Sequence, residues 1–281
     1  MGLDAWHTAD GIHHFLARTG EFLRSRPGLH TTALTVTEKL RVEGDEGATL
    51  GWLETDGEVR GIYCRVSPER GVSLTPLAPE DTEGLAEHLL GLGRTLPYVT
   101  AERGTARSFA TAWGRRTGAS ADIRVELGLY RLGTLTLPDP FPEGSARPAG
   151  DADHEHIMQW CRELAAYFGE EVTIDAETWA STRFGEKTYT YWENPDGVPV
   201  AMAGANPLIG GQVRIDPVYT PEQLRGRSYG GAATVAVSRA ALDAGAEEVV
   251  LYTNLANPTS NALYQRLGYR SIAEFAVYDF A

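Results

Sequence analysis

The stretch that decides the fold is Val213-Arg-Ile-Asp-Pro-Val-Tyr-Thr-Pro-Glu-Gln-Leu-Arg-Gly-Arg-Ser-Tyr-Gly230. Val213, Ile215 and Val218 mark a strand, which runs into the turn Arg225-Gly226-Arg227-Ser228-Tyr229-Gly230. A helix of small residues follows, Gly231 to Ala244, stopped by Gly245. Strand, glycine turn and helix start together make an anion site. The first N–H groups of a helix have no partner inside it and carry partial positive charge. Glycines let the backbone approach a phosphate closely, and Arg225 and Arg227 add charge-assisted donors. The stretch therefore predicts a phosphate-bearing cofactor. A Walker loop would need Lys-Ser or Lys-Thr after its last glycine, and Gly231-Ala232 stands there; the dinucleotide pattern G-x-G-x-x-G is also absent.

Beyond the small-residue helix comes an apolar strand, Val249 to Thr253. Asn257-Pro258 then opens a helix that ends at Gly268. The segment reads Asn257-Pro-Thr-Ser-Asn-Ala-Leu-Tyr264-x-x-x-Gly268-Tyr269. The pair of motifs, in this order and joined by a helix and a strand, resembles the GNAT superfamily of acyl-CoA-dependent N-acyltransferases. That family has a pyrophosphate loop Arg/Gln-x-x-Gly-x-Gly/Ala and a later Asn-x-x-(small)-x-x-x-Tyr-x-x-x-Gly-(Phe/Tyr) segment. Ser228 stands where the family has glycine. The resemblance implies an α/β fold with a mixed (α+β) sheet and acetyl-CoA as the bound cofactor. It implies that Val218, Tyr219 and Thr220 offer backbone groups to the pantetheine arm and the thioester carbonyl. Arg225, Gly226, Arg227, Ser228, Tyr229 and Gly230 would hold the pyrophosphate, and Asn257 would contact the pantetheine arm. Tyr264 would lie near the sulfur and give a proton to the departing thiolate.

Composition bounds the rest. A chain of 281 residues, 42% hydrophobic and 22% charged, has the make-up of a soluble globular protein with room for two domains. No apolar run approaches the roughly 20 residues of a membrane span. The start, Met1 to Leu16, shows neither a signal peptide nor a myristoylation pattern. Cys64 and Cys161 lie far apart and read as free thiols in a reducing cytoplasm. A net charge of −13 argues against nucleic acid and anionic membrane as partners and is compatible with a cationic amine. Abundant alanine, arginine and glycine with little lysine suggests a bacterial source. No Cys/His/Asp cluster at ligand spacing accompanies His13 and His14, so no metal is expected.

The N-terminal half repeats the pattern faintly. Residues 8–26 and His30 to Arg41 read as helices. Thr49 to Glu54 and Val59 to Val66 flank the hairpin signal Asp56-Gly57, and Val72 to Leu74 is a third strand. Pro79 to Leu92 is a helix, but the turn before it, Thr75 to Pro79, has no glycine and no arginine. Val99 to Glu102 is a short strand. Thr105 to Arg116 is a helix whose Ala106-x-x-Phe109-x-x-x-Trp113-x-x-x-x-Gly118 echoes Ser260-x-x-x-Tyr264-x-x-x-Gly268. Ile123 to Leu132 and Glu274 to Phe280 are strands, so both halves end as strand, helix, glycine and strand.

The organisation expected is a degenerate GNAT-like domain over 1–132, a Pro/Gly-rich linker over 133–150 with four prolines, and an acetyltransferase domain over 151–281. In the last, His154 to Phe168 and Asp175 to Phe184 read as helices around the loop Gly169-Glu170-Glu171. Thr188 to Trp192, Val198 to Ala205 and Gln212 to Thr220 read as strands. The superfamily shapes its acceptor site with the first two helices, so Glu170 and Glu171 are candidates to bind or deprotonate an amine. Ordered water or the carboxylate of Ala281 are the other candidates for the base. The expected activity is direct acetyl transfer from acetyl-CoA to a small amine, by a monomer or homodimer. The competing readings are a non-catalytic acyl-CoA-binding sensor or scaffold, and an acyltransferase with a longer acyl donor.

Overall fold

The computed structural model describes residues 5–170 and 172–281. The first elements are strand β1 (Ala5–Thr8), helices α1 (Ile12–Ser25) and α2 (Thr31–Glu43), and strands β2 (Thr49–Thr55), β3 (Glu58–Arg65) and β4 (Val72–Leu74). Asp56 and Gly57, at φ 51° and 83°, give β2 and β3 the type of two-residue turn that matches strand twist. Helix α3 (Pro79–Gly91) opens with proline and acidic residues in its first turn, as the exposed N–H groups there favour. Strand β5 (Tyr98–Glu102) leads directly into helix α4 (Arg103–Thr117), because the Glu102 carboxylate accepts the N–H groups of Gly104 and Thr105. Gly118, left-handed at φ 79°, ends α4, and strand β6 (Ala121–Leu132) follows.

The remaining elements are β7 (Ser145–Pro148), α5 (His154–Tyr167), β8 (Thr188–Glu193), β9 (Pro199–Ala205), β10 (Gln212–Tyr219), α6 (Tyr229–Asp243), β11 (Glu248–Asn254), α7 (Pro258–Arg266) and β12 (Tyr269–Phe280). Two differ from the sequence reading. Residues 133–150 carry a strand: β7 pairs antiparallel with β8, and Arg147 ion-pairs with Asp153 and Glu193 and lies over the Tyr191 ring. Proline forbids helix but not an edge strand. Residues 175–184 do not form a helix beyond one 3-10 turn, Trp179–Ser181. The Asp175 carboxylate bonds the N–H groups of Glu177 and Thr178, and the Ser181 and Thr182 hydroxyls bond carbonyls three residues back. Such local bonds compete with a continuing helix.

The chain makes two compact units, neither of them a continuous segment. One takes residues up to Leu129, with Thr253–Pro258 and Ser271–Ala281; the other takes Tyr130–Tyr252 and Thr259–Arg270. In the first, the sheet order is β1, β2, β3, β4, β5, β12. β4 and β5 are parallel, the other pairs antiparallel. The neighbour of β5 is thus the last strand of the chain, through Phe275↔Glu102 to Asp279↔Tyr98. The core around Leu85, Phe109 and Trp113 includes Ala276, with Tyr278 and Phe280 packed against it.

In the second unit the order is β11, β10, β9, β8, β7, with β10 and β11 parallel and the others antiparallel. One core holds Val213, Ile215, Val249 and Leu251 with the α6 residues Ala232, Val235 and Val237 and with Tyr264. The other gathers Met202, Tyr189 and Tyr191 beneath Trp160, Cys161 and Leu164 of α5. Helices therefore cover both faces of a mixed α/β sheet. The order of elements is the same in each unit: three antiparallel strands, a helix, a parallel strand and a helix. No helix among the described residues is long and apolar enough to cross a membrane, and no group of three His, Cys, Asp or Glu among them could hold a metal ion.

Candidate functional site

The site is built where β10 leaves β11 while it stays paired with β9 through Val218↔Ala203 and Tyr219↔Met202. Its parallel ladder with β11 runs from Gln212↔Glu248 to Ile215↔Leu251. Against β9 its register shifts between Ile215 and Val218. An Asp-Pro pair inside an apolar strand is the sequence sign of that bulge, since proline gives no N–H to a ladder. Gly204 on β9 accommodates it: a Cβ there would lie 2.7 Å from the Asp216 carbonyl oxygen. Past the bulge, the Asp216–Tyr219 end of β10 extends beyond its β11 ladder, so the two strands open as a fork.

Helix α6 begins beside that fork. A Cβ built on Gly230 would lie 3.0 Å from Thr220 Oγ1 and 3.8 Å from Val218 Cγ1, so the structure brings Val218, Thr220 and Gly230 together. Tyr219 points to the opposite face. Its hydroxyl donates to Glu163 Oε2 at 2.5 Å, and its ring lies 5.7 Å from Trp160. The turn before α6 alternates hand: Gly226 has φ 78° and Ser228 has φ 62°, ψ 5°. Ser228 therefore adopts the left-handed conformation that glycine takes at no steric cost. Its carbonyl accepts the Ala232 N–H at 3.0 Å, the first bond of the helix. The N–H groups of Tyr229, Gly230 and Gly231 precede that bond at the positive end of the helix dipole.

The left-handed serine has a measurable consequence. A side chain in this region costs about 1–2 kcal/mol, offset in part because glycine gains freedom when unfolded. Ser228→Gly is expected to be more stable than Ser228→Ala by about 1 kcal/mol in urea unfolding. Equal midpoints would show that the turn does not hold residue 228 left-handed.

The other candidates fall as follows. Arg225 donates through Nε to the Thr220 carbonyl at 3.1 Å, and its guanidinium lies 5.1 Å over the Tyr167 ring; Arg227 is exposed. Asn257 closes a turn just before α7, its N–H bonded to the Asn254 carbonyl at 2.9 Å. Tyr264, on α7, is 9% exposed in the core and meets Tyr269 edge-on at 6.1 Å. Burial, then Tyr269, then the charge of Asp216 push its phenol above the ordinary value, so it stays protonated at neutral pH. Gly268, at φ 98°, ends the motif by close approach: a Cβ would lie 1.9 Å from the Thr134 carbonyl oxygen. Glu170 is tied by both oxygens to Arg183, at 2.8 and 3.1 Å. Glu171 lies outside the described residues. Ala281 exchanges backbone bonds with Ser120 in the first unit.

The structure adds a charged group that residue-by-residue reading passed over. Asp216, in the bulge, pairs with Lys187, whose side chain is 4% exposed, and with Arg183 at 3.3 Å. Burial alone would raise its carboxyl, but Lys187, Arg183 and Arg214 outweigh it and hold Asp216 at about 2. Asp216 is thus a fixed anion at the fork and not a proton acceptor. The thiols are no nucleophiles either: burial pushes both Cys64 and Cys161 up to about 12.

Residues 154–269 match the model of the acetyltransferase (GNAT) family, which supports an N-acetyltransferase enzyme. Among solved structures, a Drosophila protein has a TM-score of 0.65 at 13% identity, with 99% of each chain covered. A GCN5-related N-acetyltransferase from Sphaerobacter thermophilus has 0.56 at 17% identity, covering 82% of this chain and 79% of its own. A tandem GNAT protein of the clavulanic acid biosynthesis pathway has 0.57 at 12% identity, covering 99% and 98%. At these identities the likeness is one of fold. No curated protein sequence matches.

Proposed function

We propose that the chain is an acetyl-CoA-dependent N-acetyltransferase that moves the acetyl group directly to a small primary amine. The observation that carries this reading is the cradle at the start of α6. Gly226 and Ser228 turn left-handed, and Gly230 leaves open the space beside Thr220 that a Cβ would fill. That geometry suits a pyrophosphate, which needs backbone N–H groups at close range and tolerates no side chain there. Tyr229, Gly230 and Gly231 would supply N–H groups, Arg225 and Arg227 charge, and Asn257 a contact to the pantetheine arm. The end of β10 and the residue after it, Val218 to Thr220, would orient the arm and polarise the carbonyl through backbone groups on the side that β11 leaves open.

Acetyl-CoA supplies an activated acyl group on a thiol leaving group. The protein's part is to position it and to move protons. The buried Tyr264 phenol keeps its proton at neutral pH and is the group we assign to protonate the departing thiolate. The amine's own proton would leave through Glu170, Glu171, ordered water or the Ala281 carboxylate. The shared order of elements supports reading residues 1–132 as a degenerate copy and 151–281 as the acetyltransferase copy, with 133–150 between them, each copy's elements being shared between the two compact units. The glycine-free turn before α3 supports loss of phosphate binding in the degenerate copy. Two buried, unpaired thiols support a reducing cytoplasm.

The test is CoA release from acetyl-CoA across a panel of primary amines, with calorimetric binding of acetyl-CoA alone. Tyr264→Phe is expected to lower kcat about 100-fold with little change in acetyl-CoA affinity. Unchanged kcat would remove the acid role from Tyr264. Binding without release on any amine would favour an acyl-CoA sensor.

A further inference from the structure

Helix α5 turns one stripe toward the end of β10 and the turn that follows it. Trp160, Glu163 and Tyr167 stand three and then four residues apart, on one face of the helix. The Trp160 ring lies 5.7 Å from the Tyr219 ring. Glu163 Oε2 accepts the Tyr219 hydroxyl at 2.5 Å, while Gln159 Nε2 donates to Glu163 Oε1 at 2.9 Å. The Tyr167 ring lies 5.1 Å from the Arg225 guanidinium and meets Phe168 edge-on at 5.3 Å. The stripe therefore holds both ends of the segment from Tyr219 to Arg225.

Stability does not account for these contacts. Tyr167 is 58% exposed and Glu163 is exposed, and surface side chains of this kind change folding energy little. Their effect falls on the residues they hold. Tyr219 stays a donor, because burial first, and then its bond to Glu163, raise its phenol above the ordinary value. Arg225 is held at two points, by Nε on the Thr220 carbonyl and by the ring of Tyr167. Among the described residues nothing else bonds its guanidinium, so the Nη hydrogens are left for an anion. A guanidinium already oriented loses less freedom when the anion arrives.

We propose that α5 positions the cofactor site through two residues: Glu163 sets the end of β10 by way of the Tyr219 hydroxyl, and Tyr167 sets the Arg225 guanidinium for the pyrophosphate. The inference rests on the acetyl-CoA reading above and divides its two tasks. Tyr219 stands between Val218 and Thr220, in the stretch whose backbone would polarise the thioester carbonyl, so Glu163 governs polarisation. Arg225 would meet the pyrophosphate, so Tyr167 governs affinity. Both are positioning residues, each acting through one partner.

The probe is acetyl-CoA labelled with ¹³C at the carbonyl, bound to the full-length protein. Calorimetry reads affinity, and the carbonyl resonance reads polarisation as a downfield displacement on binding. Tyr167→Leu should weaken affinity about threefold, the range of an exposed cation–π contact, and leave the bound resonance in place. Tyr167→Phe keeps the ring and should bind as wild type does. Glu163→Ala should lose most of the downfield displacement with little change in affinity. Glu163→Gln still accepts the Tyr219 hydroxyl and should keep the displacement. Each effect should vanish once its partner is gone: Tyr167→Leu in an Arg225→Ala background, Glu163→Ala in a Tyr219→Phe background. Equal effects in those backgrounds would overturn the proposal. So would a Glu163→Gln variant that behaves as Glu163→Ala, since charge and not the hydrogen bond would then be at work. Wild-type binding with inert Tyr167 and Glu163 variants sinks this inference alone; wild-type protein that binds no acetyl-CoA sinks the acetyl-CoA reading and the inference with it.

Discussion

Removing Ser271–Ala281 should leave the first unit unfolded and the protein insoluble. These eleven residues end the chain, yet they belong to the unit that begins it. β12 pairs with β5 over five residues, and Phe275, Ala276 and Val277 are buried. Phe280 sits 6.0 Å from Trp113 and 6.5 Å from Phe109, ring to ring. Asp279 ion-pairs with Arg124, and Glu274 with Arg103. The exposed ion pairs contribute little; the apolar groups decide the outcome. Burying a Phe or Val side chain is worth about 1.5–3 kcal/mol, so losing three or four such groups consumes most of the 5–15 kcal/mol typical of a whole domain. The deletion also leaves β5 as an open edge, a template for aggregation. The same logic applies to residues 133–281 expressed alone, which keep β12 but lose β5. A soluble deletion variant with native near-ultraviolet circular dichroism would show that β12 does not complete the first unit.

That strand marks the limit of what local sequence reveals. The existence of β12 was legible from Glu274 to Phe280, because alternation needs only neighbours along the chain. Its partner was not. β6 and β12 both follow a helix and a glycine, and nothing in either states which parallel strand it will join. Pairing over this separation is fixed by which core receives Phe275, Ala276 and Phe280, a tertiary choice. The hairpin at Asp56-Gly57 was legible for the opposite reason, since its turn is set by two residues. The helix expected over 175–184 failed because Ser181 and Thr182 bond their own backbone, an outcome that propensity weighs poorly. At the candidate site the motif positions were readable, but the bulge gained its meaning only with Lys187 and Arg183 beside Asp216. Ser228, a departure from the glycine pattern by identity, keeps the glycine conformation.

Gly230→Val should abolish acetyl-CoA binding while the protein stays folded. A Cβ at 230 already falls 3.0 Å from Thr220 Oγ1, tighter than ordinary contact, and valine adds two methyl groups beyond it. The direction matters more than the crowding. The added atoms enter the space between the helix start and the end of β10, where under the proposed function a pyrophosphate would reach the N–H groups of Tyr229, Gly230 and Gly231. Those donors act at hydrogen-bond range, near 2.9 Å, so a displacement of one methyl radius removes several of them together. A loss of at least 100-fold in affinity is expected, about 2.7 kcal/mol, with circular dichroism unchanged and Tm lowered by a few degrees. Gly226→Ala serves as the contrast. No atom lies within 4 Å of a Cβ there, so its cost is the left-handed backbone alone, and affinity should fall much less. If Gly230→Val binds acetyl-CoA as wild type does, the phosphate site is not at the start of α6. If the two variants lose affinity alike, the loop acts through its backbone conformation and not through the space at Gly230.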